Sequence, residues 1–229
     1  MLKNHVEQER PGEEELGRRL EEARKRLGAL QMQIKEHGLP VLVLMEGWGT
    51  AGKGSTIGKI IRNIDPRFFK VATMAAPTEE ELRKPFLYRY FARIPEAGKF
   101  TFLDSGWMDE ITGDVLQGKL DDKGYASRID SVKRFERQLT DNGYLVMKFF
   151  FHIDEKEQRK RLDALLVNKD TSWRVSDSDR WQNKHYDKCL KVFDRYLDDT
   201  NVSTAPWYIV DAHSRKWAQL QVLEMLCQG

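Results

Sequence analysis

The chain has 229 residues, enough for one large α/β domain or a domain with a helical extension, and 40% of them are hydrophobic, enough for a sizeable core. Its 38 Lys and Arg stand against 36 Asp and Glu, and a net charge of +2 argues against a nucleic-acid partner. The two cysteines, Cys189 and Cys227, form neither a disulfide framework nor a metal spacing, which fits a reducing cytoplasm. No apolar run reaches membrane-spanning length, so no membrane partner is expected, and the start, MLKNHVEQERPGEEE, lacks the apolar core of a signal peptide.

Residues 1–12 are polar, end in Pro11-Gly12 and read as a loose tail. A charged helix is predicted over 13–36, with Leu16, Leu20, Ala23, Leu27, Leu30 and Ile34 in a heptad stripe that suits packing on the domain surface or a dimer contact. Gly38 closes it as a C-cap, and 1–38 are expected to be an extension to a main domain over 39–229. From there apolar runs alternate with helical patterns. Strands are predicted at 40–45, 69–74, 99–104, 144–153 and 207–210. Helices are predicted at 52–64, 79–92, 109–117, 126–142, 155–167, 179–198 and 214–226. Such alternation predicts an α/β fold of three layers, a five-stranded parallel sheet covered by helices on both faces, with ligands beyond the carboxyl ends of the strands.

The segment Gly47-Trp48-Gly49-Thr50-Ala51-Gly52-Lys53-Gly54-Ser55 follows the first strand and opens a helix. Strand, glycine-rich loop, lysine and helix make a phosphate-binding P-loop. Glycines let the backbone fold close to phosphate oxygens, and the helix N-terminus adds partial positive charge. Lys53 is expected to bind the terminal phosphates, with Gly47, Gly49, Thr50, Ala51, Gly52, Gly54 and Ser55 shaping the cradle. Gly54 stands where a Ser or Thr usually holds Mg²⁺, so the metal must lean on carboxylates. Asp104, ending the third strand, is the candidate metal ligand, with an N-cap role as its structural alternative. Asp109 and Glu110 either assist it or simply favour the start of their helix.

Together these residues resemble the family-2 polyphosphate kinases, which move phosphate between inorganic polyphosphate and nucleotides with Mg²⁺. The likeness runs along nearly all of the chain after residue 38. It rests on Glu46 to Ile57 (EGWGTAGKGSTI), Ala76 to Glu81, Tyr88-Arg89-Tyr90, Ile94-Pro95, Phe135-Glu136, Asp141-Asn142-Gly143, Lys148 to Ile153, Glu157-Gln158-Arg159, Trp173-Arg174 with Ser176, and Ala205-Pro206-Trp207. The resemblance implies a P-loop kinase fold with a lid over 168–180 and substrates that are polyphosphate and an adenine or guanine nucleotide. It also implies Arg89 as a catalytic cation. Two departures stand out: Gly49 where the family usually has Asp, and Ser105 and Glu110 in a segment that usually reads DRSWYNR. The pattern resembles a divergent branch, the less typical half of tandem-domain members that act on AMP.

Phosphoryl transfer rests on alignment and neutralisation, so several cations should converge on the phosphates. Arg93, Arg128, Lys133, Arg134 and Arg174 are the candidates beside Arg89, although one basic helix face is often only solvated. The lid segment is expected to bring in Trp173 and Arg174, and its alternative is a plain surface loop. Trp48 and Trp107 read as packing residues near the site, and His152 as a hydrogen-bonded buried histidine. Three functions compete: polyphosphate-dependent transfer, an ATP-dependent nucleoside monophosphate kinase, and a silenced module that binds nucleotide or polyphosphate. Self-association as a dimer or tetramer is expected from the heptad helix and exposed aromatics, and location in the cytoplasm from the cysteine usage.

Overall fold

The first strand, β1 (Val41–Gly47), is buried along six of its seven residues. An apolar run with no polar alternation satisfies its backbone only inside a sheet, with cover on both faces. The structure, a computed structural model describing residues 1–5 and 9–228, places it at the centre. The other strands are β2 (Phe69–Thr73), β3 (Phe100–Asp104), β4 (Leu145–His152) and β5 (Trp207–Asp211). All pair in parallel, in the order β2-β3-β1-β4-β5. Met45 lies opposite Asp104, and Gly47 opposite Phe151, so the carboxyl ends of β1, β3 and β4 open on one edge.

Helix α1 (Glu13–Glu36) has the bounds that its heptad stripe predicts. Leu16, Leu20, Ala23 and Leu27 are buried, and α1 packs on the C-terminal helix named α10 below. Arg19 clasps Glu224 with two bonds of 2.9 and 2.8 Å, and Cys227 Sγ approaches the carbonyl of Ala23 at 3.7 Å. The first residues depart from the loose tail expected of 1–12: Leu2 is buried, and its N–H donates to Asp194 at 2.6 Å. Residues 6–8 of that tail lie outside the described residues.

Helix α2 (Lys53–Ile60) ends sooner than 64, passing into a tight turn at Ile61–Asn63. The helix predicted over 79–92 is two short ones, α3 (Glu79–Leu82) and α4 (Tyr88–Phe91). Pro85 lies between them and cannot donate within a helix. Helices α5 (Trp107–Leu116) and α6 (Asp122–Asp141) begin earlier than expected, α6 because Asp121 caps it through Gly124 N–H at 2.7 Å. Helix α7 (Glu155–Val167) matches its predicted bounds, with Asp154 as N-cap. The helix predicted over 179–198 is split at His185 into α8 (Asp177–Lys184) and α9 (Tyr186–Thr200). Ser176 and Asp179 close a capping box that starts α8 two residues before the predicted bound of 179. Helix α10 (Arg215–Leu226) completes the chain. Helices α10, α1 and α2 cover one face, and α5, α6 and α9 the other; α7 and α8 pack together.

One ion pair sits inside this core. Lys148 on β4 and Glu136 on α6 are both fully buried, 2.7 Å apart, and Lys148 also donates to the Thr200 carbonyl at 2.9 Å. Burial works against both charges, pushing the carboxyl up and the ammonium down. Breaking such a pair leaves an uncompensated charge, whereas replacing both partners costs far less. Lys148→Met is therefore expected to destabilise the fold by about 3–5 kcal/mol in urea titrations, and Lys148→Met with Glu136→Leu by clearly less.

Candidate active site

The loop after β1 is shaped by one steric demand. Gly47 has φ +123°, and a Cβ there would lie 2.4 Å from the Phe151 carbonyl oxygen. Only glycine fits where the loop crosses the end of β4. Gly52, at φ +101°, then turns the chain into α2, and Thr50 also takes a left-handed conformation at φ 62°. The first-turn amides of α2, at Lys53, Gly54 and Ser55, have no partner within the helix, which makes them donors for an anion. Lys53 Nζ donates to the carbonyls of Gly47 and Trp48 at 3.1 and 3.2 Å, holding the ammonium over the loop. The Ser55 hydroxyl donates back to Gly52 O at 2.9 Å.

Side chains from several elements hold the loop. Trp48 is fully buried, stacked on Tyr186 at 4.0 Å, and its indole N–H donates to His152 Nδ1 at 3.1 Å. Burial lowers the His152 pKa to about 4, so the ring is neutral and serves as an acceptor, the structural role expected of it. Arg161 on α7, oriented by Glu157 at 2.8 Å, donates to the carbonyls of Thr50, Ala51, Ala212 and His213. The peptide groups of Gly49 are bound from α7 and α8: its N–H donates to Gln182 Oε1 at 2.8 Å, and its carbonyl accepts from Gln158 Nε2 at 3.3 Å.

Carboxylates gather opposite Lys53. A Cβ on Gly54 would sit 2.8 Å from Asp104 Oδ2, so the acid ending β3 fills the space that a Ser or Thr side chain would need. Burial raises the Asp104 pKa, Lys53 offsets part of this, and the charge of Asp109 adds to it. Asp109 is exposed and lines a cavity beside the loop. Its crowded surroundings raise its pKa, again against the pull of Lys53 and with a push from Asp179. Glu46, buried beneath them, accepts from Met108 N–H at 3.1 Å, and burial pushes its pKa well up. Neither Asp104 nor Asp109 accepts a side-chain hydrogen bond among the described residues. A hydrated divalent cation suits two such mutually repelling acids.

Arg89 is less free than expected. It is buried, bonded to the Ala75 carbonyl, and lies 3.6 Å from Glu110 and 3.9 Å from Glu81. Glu110 also accepts from Tyr90 OH at 2.8 Å. Arg89 still lines a cavity of about 150 Å³ with Gly106, Asp109 and Glu110. Arg93 is tied to the Arg89 carbonyl and stands 3.5 Å from Glu81. Arg128 lies over Phe86 at 4.1 Å; Lys133 is exposed, and Arg134 pairs with Asp130 at 2.8 Å on the same exposed face. None of these three contacts the loop among the described residues. Trp173 and Arg174 are exposed and lie against each other, 5.3 Å apart. The structure thus brings together the loop, Lys53 and Asp104, while the α6 cations make no contact with the loop among the described residues.

Sequence reasoning missed Asp179, Gln182 and Arg161, and gave Glu46 and Gln158 no role. The pair Glu157-Gln158 is visible as a motif, but only the fold shows that Gln158 reaches Gly49 while Glu157 orients Arg161. A second cavity, of about 390 Å³, opens beside Asp109 between α5, α8 and α9, with Leu116, Trp181, Gln182 and Phe193 in its wall.

A parallel sheet in this order, with a glycine-rich loop after its central strand and an acid ending the neighbouring strand, defines a P-loop phosphate-binding α/β protein. A family model, polyphosphate kinase 2, matches residues 11–229, and the chain belongs to that family. It is 32% identical over 209 residues to a polyphosphate:AMP phosphotransferase of Pseudomonas aeruginosa, covering 91% of this chain and 42% of that one. It is 28% identical over 211 residues to an ADP-polyphosphate phosphotransferase of the same organism, covering 92% of this chain and 69% of that one. The crystal structure of polyphosphate kinase 2 from Arthrobacter aurescens TC1 superposes with a TM-score of 0.87 at 26% identity, covering 91% of this chain and 76% of that one. The chain spans about two fifths of the first of these relatives.

The raised pKa values carry a sign. A carboxylate whose pKa is raised takes up its proton at a higher pH than free aspartate, so acidification discharges Asp104 early. Asp109→Asn removes one charge that raises it. A ¹³C NMR titration of the Asp104 carboxyl should give a midpoint above the ordinary aspartate range, moving down in Asp109→Asn.

Proposed function

We propose that the chain transfers phosphoryl groups between inorganic polyphosphate and an adenine nucleotide, with AMP as the first acceptor to test. The observation that carries this reading is the close approach of the P-loop to Asp104 at the carboxyl ends of β1 and β3, where a Cβ on Gly54 would lie 2.8 Å from Asp104 Oδ2. The names of the curated relatives support the donor and the acceptor.

In this reading the first-turn amides of α2 and the Lys53 ammonium hold the phosphates flanking the transferred group, and Lys53 leaves its two loop carbonyls to do so. Asp104 and Asp109 would hold Mg²⁺, which supplies charge neutralisation at the phosphate oxygens when bound. A terminal oxygen of the nucleotide phosphate forms the new P–O bond. The bridging P–O bond of polyphosphate breaks, and the shortened chain leaves with the electron pair. Little covalent help is needed, because alignment and charge cancellation carry most of the rate. The nucleoside would occupy the cavity walled by Leu116, Trp181 and Phe193, with its phosphate toward Asp109. A guanine nucleotide as acceptor, assembly into a dimer or tetramer and residence in the cytoplasm belong to the same reading. Among the described residues, no helix is long and apolar enough to cross a membrane.

One observation favours a second reading, a nucleotide- or polyphosphate-binding module of low turnover: Glu81 and Glu110 neutralise Arg89. Transfer to AMP and to ADP, from polyphosphate and from ATP, with and without Mg²⁺, separates the readings. The expected result is transfer from polyphosphate that Lys53→Ala cuts by about a hundredfold or more. Transfer from ATP alone would assign the chain to nucleoside monophosphate kinase chemistry, and binding without transfer from either donor would favour the silent module.

A further inference from the structure

Gln182, on α8, belongs to two features at once. Its side chain reaches the loop after β1, and it also lines the cavity of about 390 Å³ between α5, α8 and α9. Its partners fix which way the carboxamide points. Gln182 Oε1 accepts the Gly49 N–H at 2.8 Å and a Gln158 Nε2 proton at 2.7 Å. A backbone N–H can only donate, so the oxygen must face the loop. Gln158 is oriented in turn: its Nε2 also donates to the Gly49 carbonyl at 3.3 Å, and its Oε1 accepts from Asn183 Nδ2 at 3.1 Å. Gln158 and Asn183 are both buried, so neither amide can turn round without stranding a polar group. The oxygen of Gln182 is thus committed to the loop, while its Nε2 has no acceptor among the described residues. The cavity wall beside it is largely apolar, with Leu116, Trp181 and Phe193. A polar group at a fixed place in an apolar wall is what orients a bound ligand.

We propose, resting on the reading that this cavity takes the nucleoside of the acceptor, that Gln182 binds that nucleoside and positions the phosphate loop with one side chain. Its Nε2 donates to an acceptor atom of the nucleoside, and its Oε1 holds the Gly49 peptide. Because the carboxamide is planar, a nucleoside that engages Nε2 also fixes the direction of Oε1. Donation from one end of such a chain strengthens acceptance at the other, so the two bonds support each other. Filling the cavity and setting the loop become one event.

The competing role is a structural latch, in which Gln182 only docks α8 on the loop. The two roles separate by substitution. Gln182→Glu keeps an oxygen for the Gly49 N–H and for Gln158 but removes the donor. Gln182→Met removes both. Adenosine is the probe, because it carries no charge and the carboxylate of Gln182→Glu acts on it only weakly. The full chain and both variants are compared by two readouts. One is adenosine binding followed by ¹⁵N NMR titration, which also reports the Gly49 amide. The other is kcat and KM for phosphoryl transfer from polyphosphate to AMP.

Adenosine is expected to shift the Gly49 amide of the native chain. Gln182→Glu should weaken adenosine binding about tenfold, the effect of one lost hydrogen bond that leaves a ligand acceptor unmet. Gln182→Met should weaken it at least as much and silence the Gly49 response. In transfer, the loss in Gln182→Glu should fall on KM for AMP more than on kcat, and in Gln182→Met on both. Native adenosine affinity in Gln182→Glu would overturn the proposal, as would adenosine binding that leaves Gly49 unmoved. Should Gln182→Met fail to fold, Gln182→Glu still decides, since it retains both loop bonds. A native chain that shows these responses yet transfers no phosphate would uphold the role of Gln182 while sinking the transfer reading. Transfer to AMP with no adenosine response in α5, α8 or α9 would do the reverse.

Discussion

The carbonyl of Phe151 leaves no room for a side chain at position 47. That single contact, 2.4 Å from where a Cβ would stand, decides how the chain leaves β1. The parallel register of β1 and β4 puts Gly47 beside Phe151, so the loop must pass over the end of β4 before turning back into α2. From this path follow the placement of Lys53 above its own loop, the closeness of Gly54 to Asp104, and the burial of Trp48 against Tyr186. Phosphate-binding geometry here is a consequence of sheet register, and the local sequence only permits it.

The glycine positions and the strand-loop-helix order made the loop legible, because φ > 0 and close approach leave a mark in residue type. The strands were legible for a similar reason: a run such as Val41 to Met45 has no solvated face to show. Helix ends were less so. The break at Pro85 could have been read from the proline, but the one at His185 could not, since the surrounding residues favour helix on either side. The caps that start α6 and α8 were visible as Asp121 and Ser176, and their effect was underrated.

The candidate site was half legible. Asp104 and Lys53 announce themselves by position, whereas the state of Arg89 depends on Glu81 and Glu110, from two other elements. Charge pairing of that sort is a property of the fold, and no spacing encodes it. Arg134 shows the reverse case. It looked like part of a phosphate path and turns out to pair with Asp130 one helical turn away on an exposed face, an arrangement worth little to stability or to binding. Asp179 shows in the sequence only as the third residue of the Ser176 capping box, and its approach to Gly49 comes from the fold.

Arg161 has a consequence for how this protein can drift. One guanidinium joins the carbonyls of Thr50 and Ala51 to those of Ala212 and His213, two turns far apart in the chain. Lysine has the charge but not the planar fork, so it cannot span four carbonyls from one fixed origin. The usual basic-for-basic exchange is closed at this position. Insertions in the turn after β5, which look harmless at a sheet edge, would be transmitted through Arg161 to the loop. The 211–214 turn is therefore under the same length constraint as the glycine-rich loop after β1, which Arg161 ties to it.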